Sequence, residues 1–318
     1  MKNKSPFSFY LIALYFLLFI PFQSAFAQIN QENLKKHIYY LADDKMKGRG
    51  TGSKQAKKAA KYVERHFKKY GLVPKGEKGY RQSFEARVRR VVVKDSIRQA
   101  DNVIGYIDND APYTIVIGAH YDHLGDGRQG GSRDSLGVGE IHNGADDNAS
   151  GVAGLLELAR HYSDNDTKEA FNLLFIAFGA EELGLVGSRY FTEHPTIPLE
   201  DIHWMLNMDM IGRYNPDNGV AVIGYGTSSE FPAIFKTITS DIKFNLSRDG
   251  NGGSDQTSFY RKDIPVLFFH TGGHEDYHKP GDDPEKIDYH ALESILKLEI
   301  DVIDNSMKQD KMDFQWTN

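Results

Sequence analysis

The sequence predicts an α/β fold, a three-layer sandwich of helices around a largely parallel sheet. Two observations carry that reading. Short apolar runs of strand length, residues 172–178 the cleanest, alternate with amphipathic helical stretches from residue 103 onward, as parallel strands joined by crossover helices do. The polar residues suited to chemistry fall directly after the apolar runs, where the carboxyl ends of the strands in an open sheet converge into a crevice.

Taken in order, residues 1–27 stand apart from the fold. Lys2 and Lys4 precede an apolar core at 9–20, and Ala25-Phe26-Ala27 has the small-x-small form of a signal-peptide cleavage site. A secretory leader is expected over 1–27 and one domain over 28–318, exported to the periplasm or secreted, with no stable membrane anchor. Residues 31–43 read as a helix. Ser53 opens a second, with Ala56, Ala59, Ala60, Val63, Phe67 and Tyr70 on one face. The glycine-rich Lys47-Gly-Arg-Gly-Thr-Gly-Ser53 between them lacks the lysine-serine ending of a phosphate loop and follows no strand, so it is read as a turn and cap. A hairpin at a sheet edge is expected around the β-like patch 88–93. Strands follow at 103–107, 114–118, 172–178, 202–208, 220–224 and 264–269. Helices are expected at 150–162, 187–194, 229–240 and 289–307.

A net charge of −6 and the lack of any basic run argue against nucleic acid or an anionic membrane as partner. With no cysteine, a metal site has only His, Asp and Glu to draw on.

The strand ends offer those residues repeatedly. Glu181 and Glu182 follow the 172–178 strand. Alone, such a pair reads as a solvated acidic turn. A zinc hydrolase instead needs one carboxylate as ligand and a neighbour as proton shuttle, and alternation at a strand exit would divide the roles that way. His120 and Asp122, two apart, would face one side of an extended chain, suiting an imidazole ligand and a carboxylate that orients it. Asp146, Asp147 and Asn148 lie between Gly144 and Gly151 at a helix start. They exceed what capping needs, and one bridging oxygen ligand would explain the excess. Asp209 ends an apolar strand, where an unpaired charge is costly. His270, His274 and His278 follow the last strand. The order His, Asp, Glu, Asp, His would serve two zinc ions sharing one ligand.

Gly118-Ala-His-Tyr-Asp-His123, Gly144-Ala-Asp-Asp-Asn-Ala-Ser-Gly151, Gly179-Ala-Glu-Glu-Leu-Gly184, Asn207-Met-Asp-Met210 and Tyr277-His-Lys-Pro280 together resemble the co-catalytic zinc aminopeptidases of the bacterial leucyl aminopeptidase type. Glutamate carboxypeptidase II and the glutaminyl cyclases are relatives of that family. The resemblance implies a mixed sheet of the zinc-dependent exopeptidase type. It implies that His120, Asp146, Glu182, Asp209 and His278 bind two zinc ions. Asp146 would be the bridge, ahead of a strained peptide bond to Asp147. His120 and Asp209 would hold one ion, Glu182 and His278 the other. Glu181 would be the general base for a metal-activated water, and Asp122 would orient His120. The substrate would be a peptide or small aminoacyl compound cleaved at its N-terminal residue. One departure stands out: Gln256 follows Ser254-Asp255 where many relatives have histidine, which leaves the ligands intact and touches substrate contacts.

Rival readings are a single-zinc glutaminyl cyclase on the same scaffold and a non-catalytic peptide-binding relative. No lid-sized insertion separates the motifs, which disfavours a two-domain amidohydrolase. His123, His142 and His274 lie near the motifs as candidate contacts, and Tyr225, Phe244, Phe259 and Tyr277 are candidates for the pocket wall. Oligomeric state is open.

Overall fold

Helix α1 (Gln31–Leu41) starts where the Asn30 side chain accepts hydrogen bonds from the Glu32 and Asn33 amides, and α2 (Lys54–Lys69) where Ser53 accepts from the Ala56 amide. These caps belong to a computed structural model that describes residues 28–317 apart from residue 166. The expected leader lies outside the described residues. Among the described residues no helix is long and apolar enough to cross a membrane.

After the short β1 (Val73–Pro74), strands β2 (Arg81–Arg87) and β3 (Ile97–Ile107) pair antiparallel from Arg81↔Val103 to Arg87↔Ile97. The hairpin is at a sheet edge as expected, but its strands flank the 88–93 patch, which forms the connecting loop. Alternation explains the shift. Phe84 and Ala86 turn inward from β2, whereas Val91 and Val92 have no facing surface and stand exposed.

The remaining order is β4 (Thr114–His120), α3 (Gly151–Ser163), β5 (Asn172–Phe178), α4 (Val186–Glu193), β6 (Ile202–Met208), β7 (Val220–Ile223), α5 (Phe231–Phe235), β8 (Phe244–Ser247), α6 (Gln256–Tyr260), β9 (Val266–His270) and α7 (Tyr289–Ser306). The helix expected over 229–240 stops at Phe235. Thr237, Ile238 and Thr239 are β-branched, and the Thr237 hydroxyl donates to the Ile234 carbonyl. Strand β8 has a mostly exposed pattern with no apolar run to announce it.

The sheet runs β1-β3-β5-β4-β6-β9-β7-β8, with β2 on β3. Its centre, β5-β4-β6-β9, is parallel, and β3 and β7 join it antiparallel on either side. Side chains alternate between two cores. Leu173, Phe175 and Ala177 of β5 pack with Ile115, Ile117 and Ala119 of β4 under α1, α2, α3 and α7. Leu174, Ile176 and Phe178 face the opposite layer with Phe191 of α4 and Phe259 of α6. Helices on both faces are why these strands read as continuous apolar runs.

Arg49, in the turn between α1 and α2, is fully buried. Its guanidinium donates to the carbonyls of Leu41, Tyr121, Asn143 and Gly144 at 2.7–2.9 Å. It thereby ties the first helix to the loops after β4 and before α3. Arg49→Leu strips donors from four carbonyls at once and is expected to destabilise the chain by about 3–5 kcal/mol in urea unfolding. A loss below about 1 kcal/mol would refute the clamp.

His203 on β6 is also fully buried, stacked on Phe171 with ring centroids 4.2 Å apart, and its Nδ1 accepts from the Met312 amide. Burial lowers its pKa to about 4. The unfolded chain takes up this proton below the ordinary value of 6.5, the folded chain only near 4. The unfolded state therefore binds more protons in that window, and stability falls as pH drops through it by about 3 kcal/mol. His203→Gln keeps an acceptor for Met312. Its unfolding free energy, measured at pH 7 and pH 4 beside the parent, is expected to lose about 3 kcal/mol less.

Candidate metal centre

Strand β4 ends in His120, buried, with Nδ1 3.1 Å from the Asp122 carbonyl oxygen. The Asp122 carboxylate lies 4.0 Å from that nitrogen and is engaged elsewhere. It accepts the Thr51 hydroxyl at 2.6 Å and the Glu181 amide at 3.0 Å. Asp122 thus orients His120 through its main chain, while its side chain fixes the start of the glutamate pair.

Strand alternation does not separate Glu181 from Glu182, because β5 stops at Phe178. The turn is made by Ala180, whose φ of 59° lies in the left-handed region, a conformation that is strained by about 1–2 kcal/mol for a residue with a Cβ. The same region holds Met210, which follows Asp209, and His278 itself. Such strain concentrates where a side chain must be aimed.

The loop before α3 is aimed by hydrogen bonds. The Asn148 side chain donates to the Met208 carbonyl and accepts from the Met210 and Gly151 amides, locking the loop against the end of β6. Gly151 is required there, since a Cβ would stand 2.4 Å from the Asn148 side-chain oxygen and 2.6 Å from the Met208 carbonyl. From the other side Asp282 accepts the amides of Asp146 and Asp147 at 3.0–3.1 Å.

This bracing brings Asp147, not Asp146, between the histidines. Asp147 Oδ1 lies 3.3 Å from His120 Nε2, and Oδ2 lies 3.1 Å from His278 Nε2. Asp209 Oδ1 is 3.3 Å from His120 Nε2, and Glu182 Oε2 is 3.3 Å from His278 Nε2. Asp146 points away. One oxygen accepts the Gly212 amide at 2.7 Å and the other faces His274 Nε2 at 3.2 Å. Asp147, and not the Asp146 expected there, thus stands between the two histidines, because the backbone turns between them as both amides converge on Asp282. The cis peptide bond likewise joins Asp147 to Asn148, one residue beyond the expected place.

These donors fit divalent ions. His120 Nε2 is buried with no hydrogen-bond partner, while Nδ1 of His278 is occupied by the Gly131 carbonyl at 2.8 Å, leaving Nε2 free to face the carboxylates. Two ligands at about 2.1 Å from a tetrahedral zinc lie about 3.4 Å apart, close to the separations of 3.1–3.3 Å found here. His120, Asp147 and Asp209 form one group that could hold an ion. For the second, His123 with Asp147 and Glu182 is a further combination. Its contacts differ in kind: His123 Nδ1 is 2.8 Å from Glu182 Oε1, a hydrogen-bond length, and 3.8 Å from Asp147. His123 thus holds Glu182 by a hydrogen bond, while His278 faces both Asp147 and Glu182 through Nε2.

The charges ask for cations. Burial opposes protonation of His278, yet the hydrogen bond it donates to Asp147 and the charge of Glu182 outweigh it and raise its pKa to about 9. At His120, too, burial is outweighed, by Asp209 and Glu181, and its pKa rises well above the usual value. Glu181, desolvated and beside Glu182 and Asp209, is pushed well above the carboxylate range. Asp255, at the start of α6, is fully buried with both oxygens unpartnered, and burial lifts it to about 7.

Asp147, Glu181, Glu182, Asp209 and His278 line a cavity of about 370 Å³, with Met210, Ile223 and Phe268 as apolar wall. Of the expected wall residues only Tyr277 takes part. Phe259 is in the core beneath α4, and Tyr225 and Phe244 pack on Phe235. His270 reaches the cavity but gives Nδ1 to the Asp209 carbonyl, and His142 pairs with Ser132. The sequence left Thr51, Asp282, Asp255 and the role of Asn148 unseen. Only the surplus polar residues around Asp147 hinted at any of them.

The chain is similar to several known proteins. Leupeptin-inactivating enzyme 1 of Streptomyces exfoliatus is 34% identical over 149 residues, 45% of this chain and 32% of that protein. Aminopeptidase YwaD of Bacillus subtilis is 28% identical over 210 residues, 63% of this chain and 42% of that one. The chain thus spans under half the length of these relatives. Among solved structures, a Zn-dependent exopeptidase from Parabacteroides distasonis has a TM-score of 0.68 at 18% identity, covering 88% of this chain and 100% of that one. A glutaminyl cyclase from Bacteroides thetaiotaomicron reaches 0.67 at 18%, covering 87% and 98%. At such identity these two share the fold alone. The model of peptidase family M28 matches residues 102–303, the span that carries His120, Asp147, Glu181, Glu182, Asp209 and His278, and the chain belongs to that family.

Proposed function

We propose that the chain is an exported aminopeptidase using two zinc ions, with His120 and Asp209 on one, Glu182 and His278 on the other, and Asp147 shared. The observation that carries this reading is the span of the Asp147 carboxylate, whose two oxygens each face a different histidine–carboxylate pair. Bound ions would supply Lewis acidity and lower the pKa of water towards about 7. Glu181 borders the same cavity, held through its amide by Asp122. It accepts a proton from the attacking water and returns it to the leaving amine. Met210, Ile223 and Phe268 receive the side chain of the N-terminal residue. Aminopeptidase YwaD and the family match support this class of reaction, and the leader pattern over 1–27 supports export.

A complete ligand set with a general base favours hydrolysis over a single-zinc cyclase or a binding protein. Purified protein is expected to bind two zinc ions per chain and release N-terminal residues from aminoacyl chromogenic substrates. Chelation should abolish release and zinc restore it. Full activity after chelation, or pyroglutamate formation as the main reaction with one zinc, would overturn the proposal.

Two substitutions test the assignment of roles. Glu181→Gln is expected to keep both ions and lose about 10²–10⁴-fold in kcat. Near-parental turnover would remove Glu181 from its role. Asp147→Asn is expected to lose metal by elemental analysis, whereas Asp146→Asn retains it. The reverse pattern would restore Asp146 as the bridge.

A further inference from the structure

The proposed mechanism leaves one charged residue of the cavity unused. Arg90 lies in the loop joining β2 to β3 and is exposed. Antiparallel pairing of β3 with β5, Val103 opposite Ala177, carries Ile97 and the loop before it past the end of β5, onto the rim where Glu181 and Glu182 emerge. There Arg90 joins the cavity wall. Its Nη1 lies 3.2 Å from the point where a Cβ on Gly131 would stand, and the Gly131 carbonyl holds His278.

Three observations say what this guanidinium is for. Among the described residues that line the cavity, Arg90 is the one permanent cation. It makes no hydrogen bond or ion pair with any described residue, although the carboxylates of the cavity lie on the same rim. Those carboxylates have another use. Asp147, Glu182 and Asp209 face His120 and His278 at 3.1–3.3 Å, and none of them bonds Arg90. Arg90 also stands across the ligand-bearing strands from the apolar wall. Ile223 and Phe268 belong to β7 and β9, the Arg90 loop belongs to the β3 edge, and β5, β4 and β6 run between. A peptide with its first side chain against Ile223 and Phe268 and its scissile carbonyl over the carboxylates runs its remaining residues towards Arg90.

The geometry points to Arg90 as the residue that reads a carboxylate just beyond the cleaved bond. The preferred substrates are then short peptides whose free C-terminal carboxylate reaches the guanidinium, or peptides with an acidic residue after the cleaved one. A planar guanidinium matches either carboxylate in two parallel hydrogen bonds. This inference rests on the aminopeptidase reading and adds a substrate class to it.

The test compares kcat/KM for leucyl-leucine with leucyl-leucinamide, and for leucyl-glutamyl-amide with leucyl-glutaminyl-amide, in the parent, Arg90→Gln and Arg90→Lys. The parent is expected to favour the charged member of at least one pair by about tenfold, the ratio one charge-assisted hydrogen bond supports. The preference should sit mainly in KM and shrink as salt rises. Arg90→Gln should erase it, and Arg90→Lys should retain part. The first pair responding identifies the peptide terminus as the source, the second an acidic side chain. Because each ratio is taken within one protein, a general loss of activity does not mimic the effect. Cleavage of all four substrates with ratios that Arg90→Gln leaves unchanged overturns this inference alone. A parent that cleaves none of them overturns the aminopeptidase reading and this inference with it.

Discussion

Like charges crowded into a desolvated rim constrain everything else in this molecule. Asp122, Asp147, Glu181, Glu182, Asp209 and Asp255 come together at the carboxyl ends of β4, β5 and β6, most of them buried. Carboxylates so placed cannot all stay ionised without positive charge nearby. The chain answers from behind with Arg49. Burial lowers its pKa to about 10, and the fields of Asp147, Asp282, Asp122 and Glu182 oppose that fall and hold it charged. Since Arg49 bonds carbonyls and not carboxylates, it offsets the charge without occupying any ligand oxygen. In front, His120 and His278 hold their imidazoles against the acids through Nε2. Divalent ions would complete the balance where those nitrogens meet the oxygens.

Such a centre keeps its shape only if each donor has its freedom removed by something else. The backbone does most of this. Asn148 joins the Asp147 loop to the end of β6, Asp282 gathers two consecutive amides from below, and the Asp122 carboxylate holds the Glu181 amide. The two histidines that face the carboxylates are each fixed at Nδ1 by a carbonyl, Asp122 for His120 and Gly131 for His278. That choice sets which nitrogen faces the site.

What was legible in the sequence follows from how locally each feature is encoded. The strands β5 and β6 were read to the residue because both faces are buried and the apolar run is continuous. The 88–93 patch misled, since β-branched residues mark a strand only when a surface faces them, and Val92 faces none. His120 and Asp209 stand out in the sequence as polar residues ending apolar strands, and the structure gathers them with Glu182 and His278. Asp146 and Asp147 were not separable, because adjacent acids in a glycine-flanked loop differ only in how the chain turns, and that turn is set by Asn148 and Asp282, the latter 135 residues away from Asp147. Thr51 and Arg49 were hidden for the same reason. Their partners, Asp122 and the carbonyls of Tyr121, Asn143 and Gly144, come from other parts of the chain.

The same distinction governs how far kinship can specify function. The clustered histidines and carboxylates and their braces sit on strand ends packed on both faces, where a change in one position disturbs several others. The loop that carries Arg90 is held by little. Val91 and Val92 beside Arg90 are exposed and no described residue bonds its guanidinium, so substitution there disturbs no core. A relative that matches 45% of the chain at 34% identity therefore informs the reaction far more than the choice of substrate. In this chain the cavity sets the Arg90 loop on one side and Ile223 and Phe268 on the other, with Asp147, Glu181, Glu182 and Asp209 between them.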